Sequence, residues 1–180
     1  FHAKPGSLIQ IMGKNGTGKT TLLRILAGFL APSSGKIGYY PLVEKENNLC
    51  RNVTAYLGHN NALKPGLTII ENIFSHANLM GINHTKINPN ALLEKAKTLL
   101  NRFNLTPYSE NFVYTLSAGQ QRKLGLINVF LSQRPIWLLD EPLAALDEGG
   151  QEQFQIQLTA HLETGGVAII ATHQAFQINT

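Results

Sequence analysis

Short continuous apolar runs alternate along this chain with longer segments in which apolar residues recur every three or four positions. Residues 7–12, Ser-Leu-Ile-Gln-Ile-Met, read as a short strand, and 53–57 as another. A turn at Pro32-Ser-Ser-Gly35 leads into 36–40, which predicts an edge strand. Residues 136–139 and 167–171 are apolar without interruption, as in strands buried on both faces of a parallel sheet. Helical spacing marks 19–29, through Leu22, Leu23, Ile25, Leu26 and Phe29, and also marks 68–80, 118–131 and 151–162. Asn88-Pro89 is a helix start, with Asn as cap and Pro in the first turn. Behind it Leu92, Ala96, Leu99, Leu100 and Phe103 form one apolar stripe. Strands at both ends with helices between them predict an α/β core holding a helical insertion. The expected division is a core of about 1–64 and 133–180 and a helical subdomain of about 65–132.

Composition narrows this only a little. The chain has 180 residues, 43% hydrophobic and 14% charged, which is ample apolar material for a packed domain. The formal charge of +4 is spread along the chain, and no basic block points to nucleic acid. One cysteine excludes an internal disulfide and a cysteine-rich zinc site. No apolar run approaches the roughly 20 residues of a membrane-spanning helix. A membrane role would need another subunit to supply the span. The chain opens on Phe1 without a signal-peptide pattern and reads as a piece of a longer chain or a processed product.

The chemistry begins right after the first strand. Gly13-Lys-Asn-Gly-Thr-Gly-Lys-Thr20 matches G-x-x-x-x-G-K-[ST]. Such a loop wraps a triphosphate in backbone N–H groups, and the following helix adds its positive N-terminal end. The expected nucleotide contacts are Gly13, Asn15, Gly16, Thr17, Gly18, Lys19, Thr20 and Thr21. Lys19 reaches the β- and γ-phosphates, and the Thr20 hydroxyl is a ligand for Mg²⁺. Kinases, GTPases and transport ATPases all share this loop. At the end of the 136–139 run stand Asp140 and Glu141. Asp140 is placed to hold Mg²⁺, and Glu141 to orient and deprotonate an attacking water.

Leu116-Ser-Ala-Gly-Gln120 resembles the LSGGQ signature of ABC ATPases, with Ala118 in place of a glycine. The order of phosphate loop, signature, Asp-Glu, Leu146-Asp147 and His173 agrees with that family over nearly the whole chain. The resemblance implies a P-loop NTPase core with an inserted helical subdomain. It also implies a strand and an adenine-stacking aromatic upstream of Phe1. Ser117, Gly119 and Gln120 would meet the γ-phosphate held by a second subunit, in a head-to-tail dimer around two ATPs. Asp147 would contact that subunit, and His173 would align the water. His59 stands where the family usually has a Gln, and an imidazole keeps the capacity to hydrogen-bond. It would join Glu141 and His173 among the catalytic residues.

Tyr56-Leu-Gly-His59, Lys64, Leu67-Thr68, Glu71-Asn72, Leu-Ser-Ala-Gly-Gln-Gln-Arg-Lys123 and Thr172-His-Gln174 together resemble the ATP-binding subunits of cytochrome c maturation haem exporters. This implies ATP hydrolysis that drives haem export or delivery, with integral membrane subunits as partners and no nucleic acid. The place would be the cytoplasmic face of the inner membrane, or the matrix face in a mitochondrion, held peripherally. The competing readings are a soluble ABC ATPase acting on nucleic acid, ribosomes or iron–sulfur assembly, and the ATPase of another transporter.

Overall fold

The computed structural model describes residues 1–39, 49–81, 88–173 and 175. The chain folds as two compact units. One comprises Phe1–His59, Arg134–Pro142 and Leu158–Thr180, the other Asn60–Gln133 and Leu143–Gln157.

In the first unit, the described residues form one four-stranded sheet of β1 (Leu8–Met12), β2 (Thr54–Leu57), β3 (Ile136–Asp140) and β4 (Val167–Thr172). The order is β1-β4-β3-β2 and every pairing is parallel. Leu23 and Ala27 of α1 (Lys19–Leu26) and its cap bury themselves with Leu138, Ile169 and Ala171. Alternation along β3 turns Trp137 to the opposite face. There it stacks on His161 of α6 (Glu148–Glu163), with ring centroids 3.8 Å apart. Both faces are therefore covered, which is why β3 and β4 carry uninterrupted apolar runs.

Two local differences from the sequence reading arise here. Residues 36–39 form no strand, and Tyr40 lies outside the described residues. The Tyr39 hydroxyl donates to the Leu26 carbonyl, which ties this segment to the end of α1. Before β2 the chain makes a short helix, α2 (Leu49–Val53), and the Thr54 hydroxyl donates to the Cys50 carbonyl at 2.6 Å.

The second unit packs α3 (Ile69–Leu79), α4 (Pro89–Arg102) and α5 (Ala118–Leu131) around Ile69, Ile73, Leu92, Leu100, Phe103, Leu124 and Ile127. Side-chain caps fix where these helices begin. Thr68 and Glu71 form a reciprocal capping box on α3, and Ser117 and Gln120 do the same on α5. Asn88 accepts from the Asn90 amide at the start of α4. Buried Asn72 organises the approach to α3. It accepts from the Lys64 amide at 2.8 Å and donates to the carbonyls of Lys64, Leu67 and Thr68.

Burial pushes the His76 imidazole on α3 down to about 4 from 6.5. The folded state thus holds His76 neutral where the unfolded chain would protonate it. Its contribution is complete above pH 6.5 and is lost as the pH falls towards 4, a change of about 3 kcal/mol. Urea unfolding across pH 4–7 should show this slope in the unmodified chain and a flatter one in His76→Gln.

Candidate active site

Parallel pairing brings four chain segments to one edge of the sheet. Met12 lies opposite Thr172, so the loop starting at Gly13 emerges level with His173. Asp140 lies opposite Ala171, and Leu57 opposite Leu139, so Glu141 and His59 leave adjacent strands at the same height. Across the carboxyl edge the order is therefore phosphate loop, His173, Asp140-Glu141, His59. Open α/β sheets bind ligands at this edge.

The phosphate loop makes its turns with Gly16 at φ 80° and Gly18 at φ 92°, values costly for residues with a Cβ. Gly18 precedes α1, whose first turn has no side-chain cap, so its backbone donors are available to an anion. The Lys19 ammonium donates to the carbonyls of Gly13 at 2.6 Å and Lys14 at 3.1 Å, which folds it back over the loop. The Thr17 hydroxyl donates to the Lys14 carbonyl at 2.9 Å. Asn15 and Gly16 are exposed along the loop; Thr21 is exposed on α1.

Thr20 Oγ1 donates to Asp140 Oδ2 at 2.6 Å, and Asp140 is buried. Two hard oxygen donors 120 positions apart in the chain thus meet beside the loop. That donor set suits Mg²⁺, which takes one or two protein oxygens and completes its shell with water and phosphate. Next to it Glu141 has φ 49°, in the left-handed region, while its amide still donates to the Ala171 carbonyl at 2.8 Å. The sheet ladder holds this conformation, which costs of order 1–2 kcal/mol in a residue with a Cβ. Glu141 Oε1 and His173 Nε2 are 3.3 Å apart. His59 is exposed beyond β2, and Gln174 lies outside the described residues.

The remaining candidates are in the second unit. Ser117 Oγ accepts from the Gln120 amide, and Gln120 Oε1 from the Ser117 amide at 2.9 Å, so both cap α5. A Cβ at Gly119 would come within 2.7 Å of the Ala145 carbonyl. This position is glycine because another stretch of backbone lies on it. Asp147 is paired with Lys123 at 2.8 Å. Lys123 carried no signal in the sequence beyond its place after the signature, because its partner is 24 positions away.

A strand, a glycine-rich anion loop and a helix, with a strand-end carboxylate beside the loop hydroxyl, define a P-loop nucleoside triphosphatase. Residues 1–144 match the ABC transporter family model, and the chain belongs to that family as one of its ATP-binding, ATP-hydrolysing domains. It is similar to the cytochrome c biogenesis ATP-binding export protein CcmA of Rhizobium johnstonii, 37% identical over 174 residues, covering 97% of this chain and 79% of the relative. The CcmA of Tatumella citrea is 39% identical over 176 residues, with 97% and 79% covered. Among solved structures, the ATP-binding subunit of an ABC transporter superposes with a TM-score of 0.85 at 23% identity, covering 96% of this chain and 70% of that one. A dimeric ATP-binding cassette in a post-hydrolysis state, bound to ADP and phosphate, gives 0.79 at 25% identity, with 97% and 78% covered.

Lys19→Ala should weaken ATP binding at least about tenfold, since backbone donors alone leave the triphosphate charge poorly balanced. Titration calorimetry with ATP tests this; an unchanged Kd would mean that Lys19 does not face the phosphates.

Proposed function

We propose that this chain is the ATP-binding subunit of a complex that hydrolyses ATP to drive haem export or delivery during c-type cytochrome biogenesis. The observation that carries the hydrolytic part is the strained Glu141 beside His173, at the sheet edge that also holds the phosphate loop. Similarity to the CcmA proteins supports the biological process.

The loop amides and Lys19 bind and orient the triphosphate. Thr20 and Asp140 would hold Mg²⁺, which when bound offsets phosphate charge. Glu141 accepts the proton of the attacking water, and His173 orients that water and steadies the carboxylate. Ser117, Gly119 and Gln120, with Asp147, serve the nucleotide of a second copy in a head-to-tail dimer; the ADP-bound neighbour, itself dimeric, supports dimerisation. In this reading residues 65–132 are the helical subdomain. Integral membrane subunits are the partners, and the chain is held peripherally at the cytoplasmic face, or the matrix face of a mitochondrion. Among the described residues no helix is long and apolar enough to cross a membrane. The loop pinned by Asn72 and the α3 that follows it form the docking wall for a cytoplasmic helix of those subunits. Phe112 and Tyr114, stacked 5.5 Å apart and exposed, lie on a segment bonded to that loop.

Glu141→Gln keeps the shape and a hydrogen bond but cannot take a proton. It should trap an ATP-bound dimer on size exclusion, with turnover lowered by about 10²-fold or more. A protein that stays monomeric at saturating ATP would count against the sandwich.

His59→Gln should retain most of the ATPase activity. His59→Ala should lose stimulation by the reconstituted membrane subunits while its nucleotide affinity stays near that of the unmodified protein. Full stimulation of the Ala variant would show that His59 merely ends a strand. Purification from membranes tests the process itself: the expected companions are small integral subunits of cytochrome c assembly, and a ribosomal or DNA-bound pool would overturn it.

A further inference from the structure

Four observations in the second unit converge on one residue outside the machinery described above. Lys123 lies on α5 with only 10% of its side chain exposed, and its ammonium sits 2.8 Å from Asp147 Oδ1 and 2.9 Å from Oδ2. A lysine so buried needs a partner. Asp147 Oδ1 also accepts from the Gly150 amide at 3.0 Å, and the Asp147 carbonyl from the Gln151 amide at 2.9 Å, so Asp147 is the N-cap of α6. A Cβ at Gly150 would come within 2.7 Å of Asp147 Oδ1 and 3.0 Å of Lys123 Cε, so this glycine makes room for the ion pair. One loop back, Ala145 at φ 62° places its carbonyl over Gly119, where a Cβ would come within 2.7 Å. The loop at 143–147 is thus fastened to α5 twice, at Gly119 by contact and at Lys123 by charge.

We infer that Lys123 is a positioning residue that fixes the Asp147 loop to the signature helix, so that both present themselves to the second subunit as one rigid element. This rests on the dimeric reading of the preceding section. The Lys123 hydrogen bond holds the Asp147 carboxyl below its usual range, helped by the Gly150 amide and opposed by slight burial. The carboxylate is therefore charged throughout the neutral range. Asp147 stays largely exposed on its other side and is open to a partner while Lys123 holds it.

The test separates cap from ion pair. Asp147→Asn keeps a good helix cap but loses the charge that Lys123 needs. Lys123→Gln removes the cation, and Lys123→Arg restores it. ATP affinity of the monomer, ATP-dependent dimerisation in a Glu141→Gln background, and steady-state kcat and KM are measured on the full chain with its membrane partners. Lys123→Gln and Asp147→Asn should each weaken dimerisation and lower kcat by about tenfold, with monomer ATP affinity within about twofold. The double variant should match the worse single variant, and Lys123→Arg should recover most of the loss. Multiplying single effects, failure of the Arg variant to recover, or unchanged dimerisation in Lys123→Gln would each overturn the inference. Should Lys123→Gln fail to fold, Asp147→Asn decides alone: dimerisation equal to that of the unmodified residue sinks the proposal. An unmodified protein that hydrolyses ATP without dimerising would instead overturn the dimeric reading, and this proposal with it.

Discussion

The hydrogen bond between Thr20 and buried Asp140 joins residues 120 positions apart and sets the geometry of the catalytic edge. A buried carboxylate is costly without donors, and the Thr20 hydroxyl supplies one to Asp140 at the end of β3. That bond holds the first turn of α1 against the strand end. It thereby fixes the phosphate loop, whose last glycine leads directly into that turn. The parallel register then sets everything else at the edge, since each strand delivers one residue past its end at a known height.

Glu141 shows what the edge demands of its neighbours. Its left-handed backbone would relax to an ordinary conformation in an isolated peptide. Here its amide completes the ladder to Ala171, and the strand before it is buried on both faces. Strain of this size persists only where surrounding structure over-determines the residue. The outcome is a carboxylate turned towards His173 and not continued along the strand direction. Lys123 and Asp147 follow the same logic in the second unit: a buried charge that cannot be left alone holds a loop.

Much of this was legible along the chain. The two uninterrupted apolar runs are strands, the glycine-rich octapeptide lies between a strand and a helix, α4 starts at the cap expected from Asn88, and α5 spans the expected 118–131. These features rest on interactions spanning a few residues, so local order suffices to state them. The turn at 32–35 predicts an edge strand at 36–40, but 36–39 form none, and the Tyr39 hydroxyl ties them to the end of α1, a contact the local sequence does not show. The short helix before β2 has five residues, too few to show a period in the sequence.

Sequence by itself determined the fold class and the residue types at the candidate site. Helix caps, strand burial and loop conformation are encoded within windows shorter than about ten residues. Tertiary structure alone decided which of those residues meet. The 2.6 Å contact of Thr20 with Asp140, the φ of Glu141, the Ala145 carbonyl over Gly119 and the Lys123–Asp147 pair all depend on strand order and helix packing. The physical reason is that hydrogen bonds and ion pairs act over a few ångströms of space. Distance along the chain does not enter their energy, so beyond the shared Mg²⁺ role that their motifs give Thr20 and Asp140, no local pattern announces them.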